Sequence, residues 1–201
     1  MTTDIQDDII PEFVSGTLQS PPDHRDYGLA QLGIDVSKQV FPDEYIIPHR
    51  PGVQNQGSTG MCVAFTLASI KEWQETEERG LRNDGKPRRM SQGFIYGNQS
   101  RDTGSGMYPT EALNRLLKDG VVTKEVLNIT GSIETCKAAI TPAMRELAPE
   151  RRIAAYASLW DIDDIRAAIM NLGPVSLDLS IYSQFVNCPR NGDMSIPNLQ
   201  T

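Results

Sequence analysis

The chain has 201 residues, 39% of them hydrophobic and 22% charged, which allows one good core or two small lobes, and no apolar run is long enough to span a membrane. Its 26 acidic and 19 basic residues leave a net charge of -7, which argues against a nucleic-acid partner because a phosphate backbone selects a basic surface. The opening residues carry neither a basic n-region nor an apolar h-region, so a cytoplasmic location is expected; three cysteines, at 62, 136 and 188, suit free thiols better than a disulfide framework.

Met1 to Tyr45 is polar and turn-rich, with Pro21-Pro22 and several acidic residues, and is expected to form an extended arm within a leader of residues 1–52. The string Gln56-Gly57-Ser58-Thr59-Gly60-Met61-Cys62 follows, and it carries the chemistry. Gly57 and Gly60 permit a tight turn, and Ser58 or Thr59 can cap a helix predicted from about Met61 to Glu78, stopped by Arg79-Gly80. Ala64, Phe65, Ala68 and Trp73 supply its buried face. Cys62 then sits in the first turn, where free amide N–H groups and the positive dipole end favour thiolate by roughly 0.3–1 kcal/mol. From the preceding loop, Gln56 can aim its amide at the place where an oxyanion would form beside the sulfur.

Residues 80–89 form a basic loop containing glycine and proline, best read as solvated. A second helix is predicted from Thr110 to Lys118, with Ala112, Leu113, Leu116 and Leu117 on one face and Gly120 as the stop. Thr141-Pro142 starts a third, carrying Met144 and Leu147 inward. Ile153 to Ala157 reads as a short strand. Asp161 caps an amphipathic helix with Ile162, Ile165, Ile169 and Leu172 on its face, closed by Gly173-Pro174. Val175, Leu177, Leu179 and Ile181 then alternate with Ser176, Asp178 and Ser180, the period of a half-buried strand.

Residues 53–65 resemble the active-site signature of papain-family cysteine peptidases, matching at Val53, Asn55, Gln56, Gly57, Ser58, Gly60, Cys62, Ala64 and Phe65. The resemblance implies Cys62 as nucleophile and Gln56 as the oxyanion-hole side chain. Thr59 and Val63 stand where secreted members usually carry a disulfide cysteine and a tryptophan, so the chain looks like the disulfide-poor microbial or viral branch. Pro22 to Tyr27 resembles a segment ahead of the catalytic lobe in many prokaryotic papain-like proteins. Met90 to Tyr96 is similar to the stretch leading into a wall of the substrate cleft, and Gly104 to Pro109 to the wall itself. There Gly106 and Met107 would bind an extended substrate through their backbone, with Met107 standing where glycine is usual and narrowing the pocket. By the same resemblance Asp178 would lie near the pocket for the second substrate residue. The expected fold is α+β: a helical lobe over 53–150 that carries the nucleophile, and an incomplete antiparallel β lobe over 151–201.

Papain-like catalysis needs a histidine as base and acid, and an Asn or Asp to orient it. The two histidines, His24 and His49, both precede Cys62, whereas the family's follows a strand like the one near Ile181. His49 is expected at the surface outside the cleft. The sequence therefore reads as a truncated form, a natural remnant, or a chain that takes its histidine from another. The expected function is peptide-bond hydrolysis through a Cys62 thioester, without metal or organic cofactor and inactive in this 201-residue form. The alternative is a non-catalytic papain-fold module that binds peptides or packs in a larger assembly. The partner implied is a peptide or protein substrate. An incomplete β lobe further predicts self-association, a covering partner, or the N-terminal arm folded across it.

Overall fold

A computed structural model describes residues 16–21 and 27–179 of the chain. One compact unit spans Val14–Ser176; Leu177 to Leu179 belong to a second, the rest of which lies outside the described residues.

The larger unit is built around α1 (Cys62–Arg79), whose buried face is Val63, Ala64, Leu67 and Ala68. Phe65 and Trp73 are half-buried, and the Trp73 indole donates to the Pro48 carbonyl at 2.9 Å, which ties the incoming chain to the helix. Two short helices, α2 (Gln92–Gly97) and α3 (Pro109–Lys118), pack on α1, and α4 (Ile133–Ala138) packs on α2. In α2, Gly93 and Gly97 face backbone: a Cβ on the first would lie 2.4 Å from the Ile129 carbonyl oxygen, and on the second 2.6 Å from the Cys136 carbonyl carbon. Only glycine fits a helix so close to a neighbouring chain. The Ser91 hydroxyl accepts from the Phe94 amide at 3.0 Å and so caps α2. Met61, Met90, Phe94, Tyr96, Met107, Leu116, Val121, Val122 and Ile133 fill the core between these helices.

Thr141 caps α5 (Pro142–Leu147), its hydroxyl accepting from the Met144 amide at 3.3 Å; Met144 turns inward, whereas Leu147 is exposed. Asp161 caps α6 (Ile162–Asn171), its carboxylate accepting from the Asp164 amide at 2.8 Å. The face of α6 differs from the expected one. Ala167 and Ala168 are buried against Leu29, Val36 and Phe41, while Ile162 and Leu172 are exposed. The alanines let α6 come close to the 3₁₀ turns of residues 29–38, and that approach sets the helix's rotation. Part of the leader is thus structured: Leu29 is buried, and the Tyr27 carbonyl accepts from the Ser158 amide at 2.7 Å. Leu117, placed inward by its periodicity, is likewise exposed on α3.

The antiparallel β lobe is overturned. Among the described residues, extended backbone pairs only at two isolated bridges, Thr17 with Met107 in parallel and Met90 with Thr123 in antiparallel. Residues 152–160 send single bonds to separate acceptors, such as Ile153 to the Leu116 carbonyl at 3.4 Å, and form no ladder. Val175 to Leu179 carries the alternation of a strand but has no ladder partner among the described residues, and Leu177 and Leu179 are exposed. Alternation fixes which side chains share a face; a strand also needs a neighbour's N–H and C=O groups. Ile181 lies outside the described residues. The observed fold is mainly helical.

Candidate active site

The loop before α1 is closed by its own polar groups. The Gln56 side-chain amide donates to the Thr59 carbonyl at 2.8 Å, the Thr59 hydroxyl donates to the Gln56 carbonyl at 2.7 Å, and the Asn55 side chain accepts from the Gly57 amide at 2.8 Å. The Thr59 hydroxyl expected to cap the helix is thereby engaged inside the loop. Met61 occupies the N-cap without a side-chain capping bond, and half-buried Cys62 is the first residue of α1.

Three glycines then bring three segments into backbone contact. A Cβ on Gly60 would lie 2.1 Å from the Ser105 hydroxyl and 2.8 Å from the Gly106 nitrogen. On Gly106, whose φ is +82°, it would lie 2.6 Å from the Gly16 carbonyl oxygen, and on Gly16, 2.0 Å from the Gly60 carbonyl oxygen. Each contact excludes any larger residue without a shift of backbone. The Gly106 amide donates to the Tyr96 hydroxyl at 3.1 Å, and Arg101 donates to the Ser105 carbonyl at 3.0 Å. Lys137 anchors the approach to this turn by donating to the Gln99 and Arg101 carbonyls, each at 3.2 Å, and to the Asp102 carboxylate at 2.7 Å.

Residues 16–20 lie along this wall. The Met107 amide donates to the Gly16 carbonyl at 2.7 Å, and the Leu18 amide donates to the Met107 carbonyl at 3.1 Å. Between these bonds the Thr17 hydroxyl rests 3.1 Å from the Cys62 sulfur. Farther along, the Ser20 hydroxyl accepts from the Thr110 amide at 3.2 Å, near the start of α3.

Buried charge supports the loop from behind. Glu72, fully buried on α1, accepts from the Met90 amide at 3.0 Å, from the Gln54 amide at 3.3 Å and from Arg89 at 3.2 Å. Gln54 in turn accepts from Gln92 at 2.8 Å and from Lys124 at 3.1 Å, so the residues leading to Gln56 are fixed to α1 and α2. Burial pushes the Glu72 carboxyl above its ordinary range, although the Met90 amide and Arg89 act in the opposite sense. Burial alone pushes the Cys136 thiol up to about 11, which makes it inert beside Cys62.

The structure thus gathers Cys62, Gly106 and Met107 around Thr17, with Gln56 in the loop just ahead. Asp178 lies exposed in the second unit. His49 pairs with Glu77 at 2.7 Å, and Glu77 is fifteen residues, roughly 22 Å, along α1 from Cys62. His24 lies outside the described residues. Sequence reading passed over Gly16, Thr17 and Leu18 as well as Tyr96, Arg101 and Glu72. One signal was available for the first group: a glycine inside Val14-Ser15-Gly16-Thr17-Leu18, a string whose Val, Thr and Leu favour a strand, suggests close approach of another backbone.

The architecture is similar to that of xylellain, a cysteine protease from Xylella fastidiosa, with a TM-score of 0.62 and 18% identity over 77% of this chain and 62% of xylellain. The fold is papain-like. The likeness extends to less than two thirds of xylellain's length, and at this identity it establishes architecture alone. No protein-family model and no curated protein matches the chain. Among the described residues, no helix is long and apolar enough to cross a membrane, and no group of three or more His, Cys, Asp and Glu gathers as metal ligands.

Proposed function

We propose that the chain carries the nucleophile half of a papain-like cysteine peptidase, with Cys62 as nucleophile and Gln56 as oxyanion donor. The observation that carries this reading is the junction of Cys62 at the head of α1 with the Gly106–Met107 wall, which already binds an extended segment through main-chain bonds. In the proposed reaction the Cys62 sulfur attacks the carbonyl carbon of a peptide bond. The C–N bond breaks, the amine leaves with a proton, and water then cleaves the thioester to restore the thiol. The Gln56 amide would stabilise the oxyanion after giving up its bond to the Thr59 carbonyl. The acid–base partner falls outside the set of groups described: His49 is engaged with Glu77, and His24 is not among the described residues. The substrate is a peptide or protein, and the lobe boundaries proposed are a leader to residue 52, the nucleophile lobe to 150, and a remainder to 201.

The second reading, a papain-fold module that binds peptides without cleaving them, is favoured by one observation: the segment held on the wall sets a hydroxyl, that of Thr17, against the Cys62 sulfur. A peptidyl epoxide separates the two readings. Its electrophilic carbon is attacked by the Cys62 sulfur, the C–O bond opens and the alkoxide takes up a proton. Selective labelling of Cys62 over Cys136, slowed by Gln56→Ala, is the result expected of a peptidase site. Labelling that a non-peptidyl epoxide of equal reactivity matches in rate would refute the peptidase reading.

A further inference from the structure

We infer that Gln54 is a positioning residue for the oxyanion donor: its side-chain amide, fixed at three points, sets where Gln56 presents its own amide to an adduct on the Cys62 sulfur. The inference rests on the reading of Cys62 as nucleophile and Gln56 as oxyanion donor. It adds which residue aims that donor, and through which bonds.

Residues 55–59 behave as one piece. The Asn55 side chain accepts from the Gly57 amide, and Gln56 and Thr59 bond to each other in both directions, each through its side chain to the other's carbonyl. A loop closed on itself in this way keeps its shape, but its place depends on the two points where it joins the rest of the molecule. One is the head of α1 at Cys62. The other is Gln54, directly ahead of the loop. Its Nε2 donates to Glu72 on α1 at 3.3 Å, and its Oε1 accepts from Gln92 on α2 at 2.8 Å and from Lys124 at 3.1 Å.

Bonds to three separate segments fix a planar amide in twist as well as in position, which apolar contact does not do. The partners are themselves held. Glu72 is fully buried and also accepts from the Met90 amide at 3.0 Å, Gln92 is buried, and the Lys124 amide donates to the Arg89 carbonyl at 2.8 Å. The Arg89 guanidinium in turn reaches Glu72 at 3.2 Å and the Gly52 carbonyl at 3.3 Å, so the chain entering the loop is fastened at 52 and again at 54.

The Gln56 side chain has to move to do its work, because its amide rests on the Thr59 carbonyl. The bond from the Thr59 hydroxyl to the Gln56 carbonyl can stay in place meanwhile. The side chain therefore swings about main chain that Gln54 keeps still. Without that hold the pivot shifts, and a misplacement of about 1 Å at a reacting centre costs on the order of 100-fold.

A peptide aldehyde tests this without turnover. The Cys62 sulfur bonds to the aldehyde carbon, the carbonyl π pair moves to oxygen, and that oxygen takes up the thiol proton, so the hemithioacetal oxygen sits where an oxyanion would. Kd values of acetyl-Leu-Leu-leucinal and of acetyl-Leu-Leu-leucinol, which has the same peptide and no electrophilic carbon, are measured by calorimetry on the full chain. Their ratio cancels whatever the groove contributes to both. Gln54→Met should shrink the aldehyde's advantage on the order of tenfold and leave the alcohol's Kd unchanged. Gln56→Ala should shrink it at least as much, and the double variant no further than Gln56→Ala alone, because Gln54 then has no donor to aim. If Gln54→Met unfolds the chain, which rapid iodoacetamide labelling of buried Cys136 would reveal, Lys124→Met removes one of the three bonds and carries the same expectation at smaller size. An unchanged ratio in the folded variant, equal weakening of both ligands, or losses that add in the double variant overturn the inference and leave the nucleophile reading standing. An aldehyde that binds wild type no more tightly than the alcohol overturns the nucleophile reading itself, and the inference falls with it.

Discussion

The two ends of α1 are held in opposite ways. Around Cys62 the contacts are backbone against backbone, made possible by Gly16, Gly60 and Gly106, and among the described residues no charged side chain is buried there. Nine to thirteen residues on, the helix buries Lys71, Glu72 and Glu75, with Lys71 at 3.0 Å and Arg79 at 3.2 Å from Glu75, and Arg89 at 3.2 Å from Glu72. The difference separates two tasks. Close-packed main chain shapes a groove that takes another main chain, whereas the buried pairs fix where helix and loop sit without entering the groove. Strength belongs to the charged end and shape to the glycine end.

The largest expected effect is therefore at the charged end. Glu75→Ala strands the Lys71 ammonium, only 3% exposed, and should cost about 3–5 kcal/mol in urea unfolding. Gly106→Ala forces a β-carbon into a left-handed backbone position against the Gly16 carbonyl, and a loss of roughly 1–3 kcal/mol is expected. If Gly106→Ala proves the more damaging of the two, the division between the ends is wrong.

A pH series sharpens the charged side of the comparison. Burial holds the Glu72 carboxyl above its ordinary value, so the folded state keeps that proton to higher pH than the unfolded chain does. Ionised Glu72 thus detracts from stability at neutral pH, and the penalty disappears as pH falls below the ordinary carboxylate range. The stability of wild type minus that of Glu72→Gln should therefore fall as pH rises from 4 to 7, as read from urea midpoints. A difference that rises would show that Arg89 and the Met90 amide outweigh burial. The smallest effect is assigned to Thr17→Ala, which removes one hydroxyl contact and should shift stability by less than about 1 kcal/mol. A larger loss would mean that the glycine end also contributes strongly to the fold.

Much of the helical part was legible because its signals are local. Thr141-Pro142, Asp161 and the stop at Arg79-Gly80 mark helix ends through caps and glycine, which depend on a few adjacent residues, and the observed elements begin and end there within about one or two residues. The spacing of Cys62 from the glycine turn likewise placed the sulfur at the head of α1. What failed depends on partners distant in sequence. The alternation at 175–181 could not announce whether another strand pairs with it. The apolar face of α6 was mis-rotated because alanine counts little in a hydrophobic pattern, yet Ala167 and Ala168 make the closest contact. Thr17 and Cys62, 45 residues apart, meet only through the fold. Nothing local marks Glu72 as buried, because its partner Arg89 comes from another segment.

The pair of glycines in α2 bears on the order in which the molecule assembles. A helix of six residues is far below the roughly 12–15 at which isolated helices begin to persist. Glycine at two of its positions weakens it by about 1 kcal/mol each. Until the backbone of residues 129–137 arrives against Gly93 and Gly97, only the Ser91 cap and the packing on α1 hold this turn, and until it forms, the Tyr96 hydroxyl cannot fasten Gly106. The helix α1, with eighteen residues, has no such dependence. During refolding, pulsed hydrogen exchange should find the Leu67 and Ala68 amides protected before those of Ile95 and Tyr96, so the thiol's helix exists for a time in a chain that has no groove.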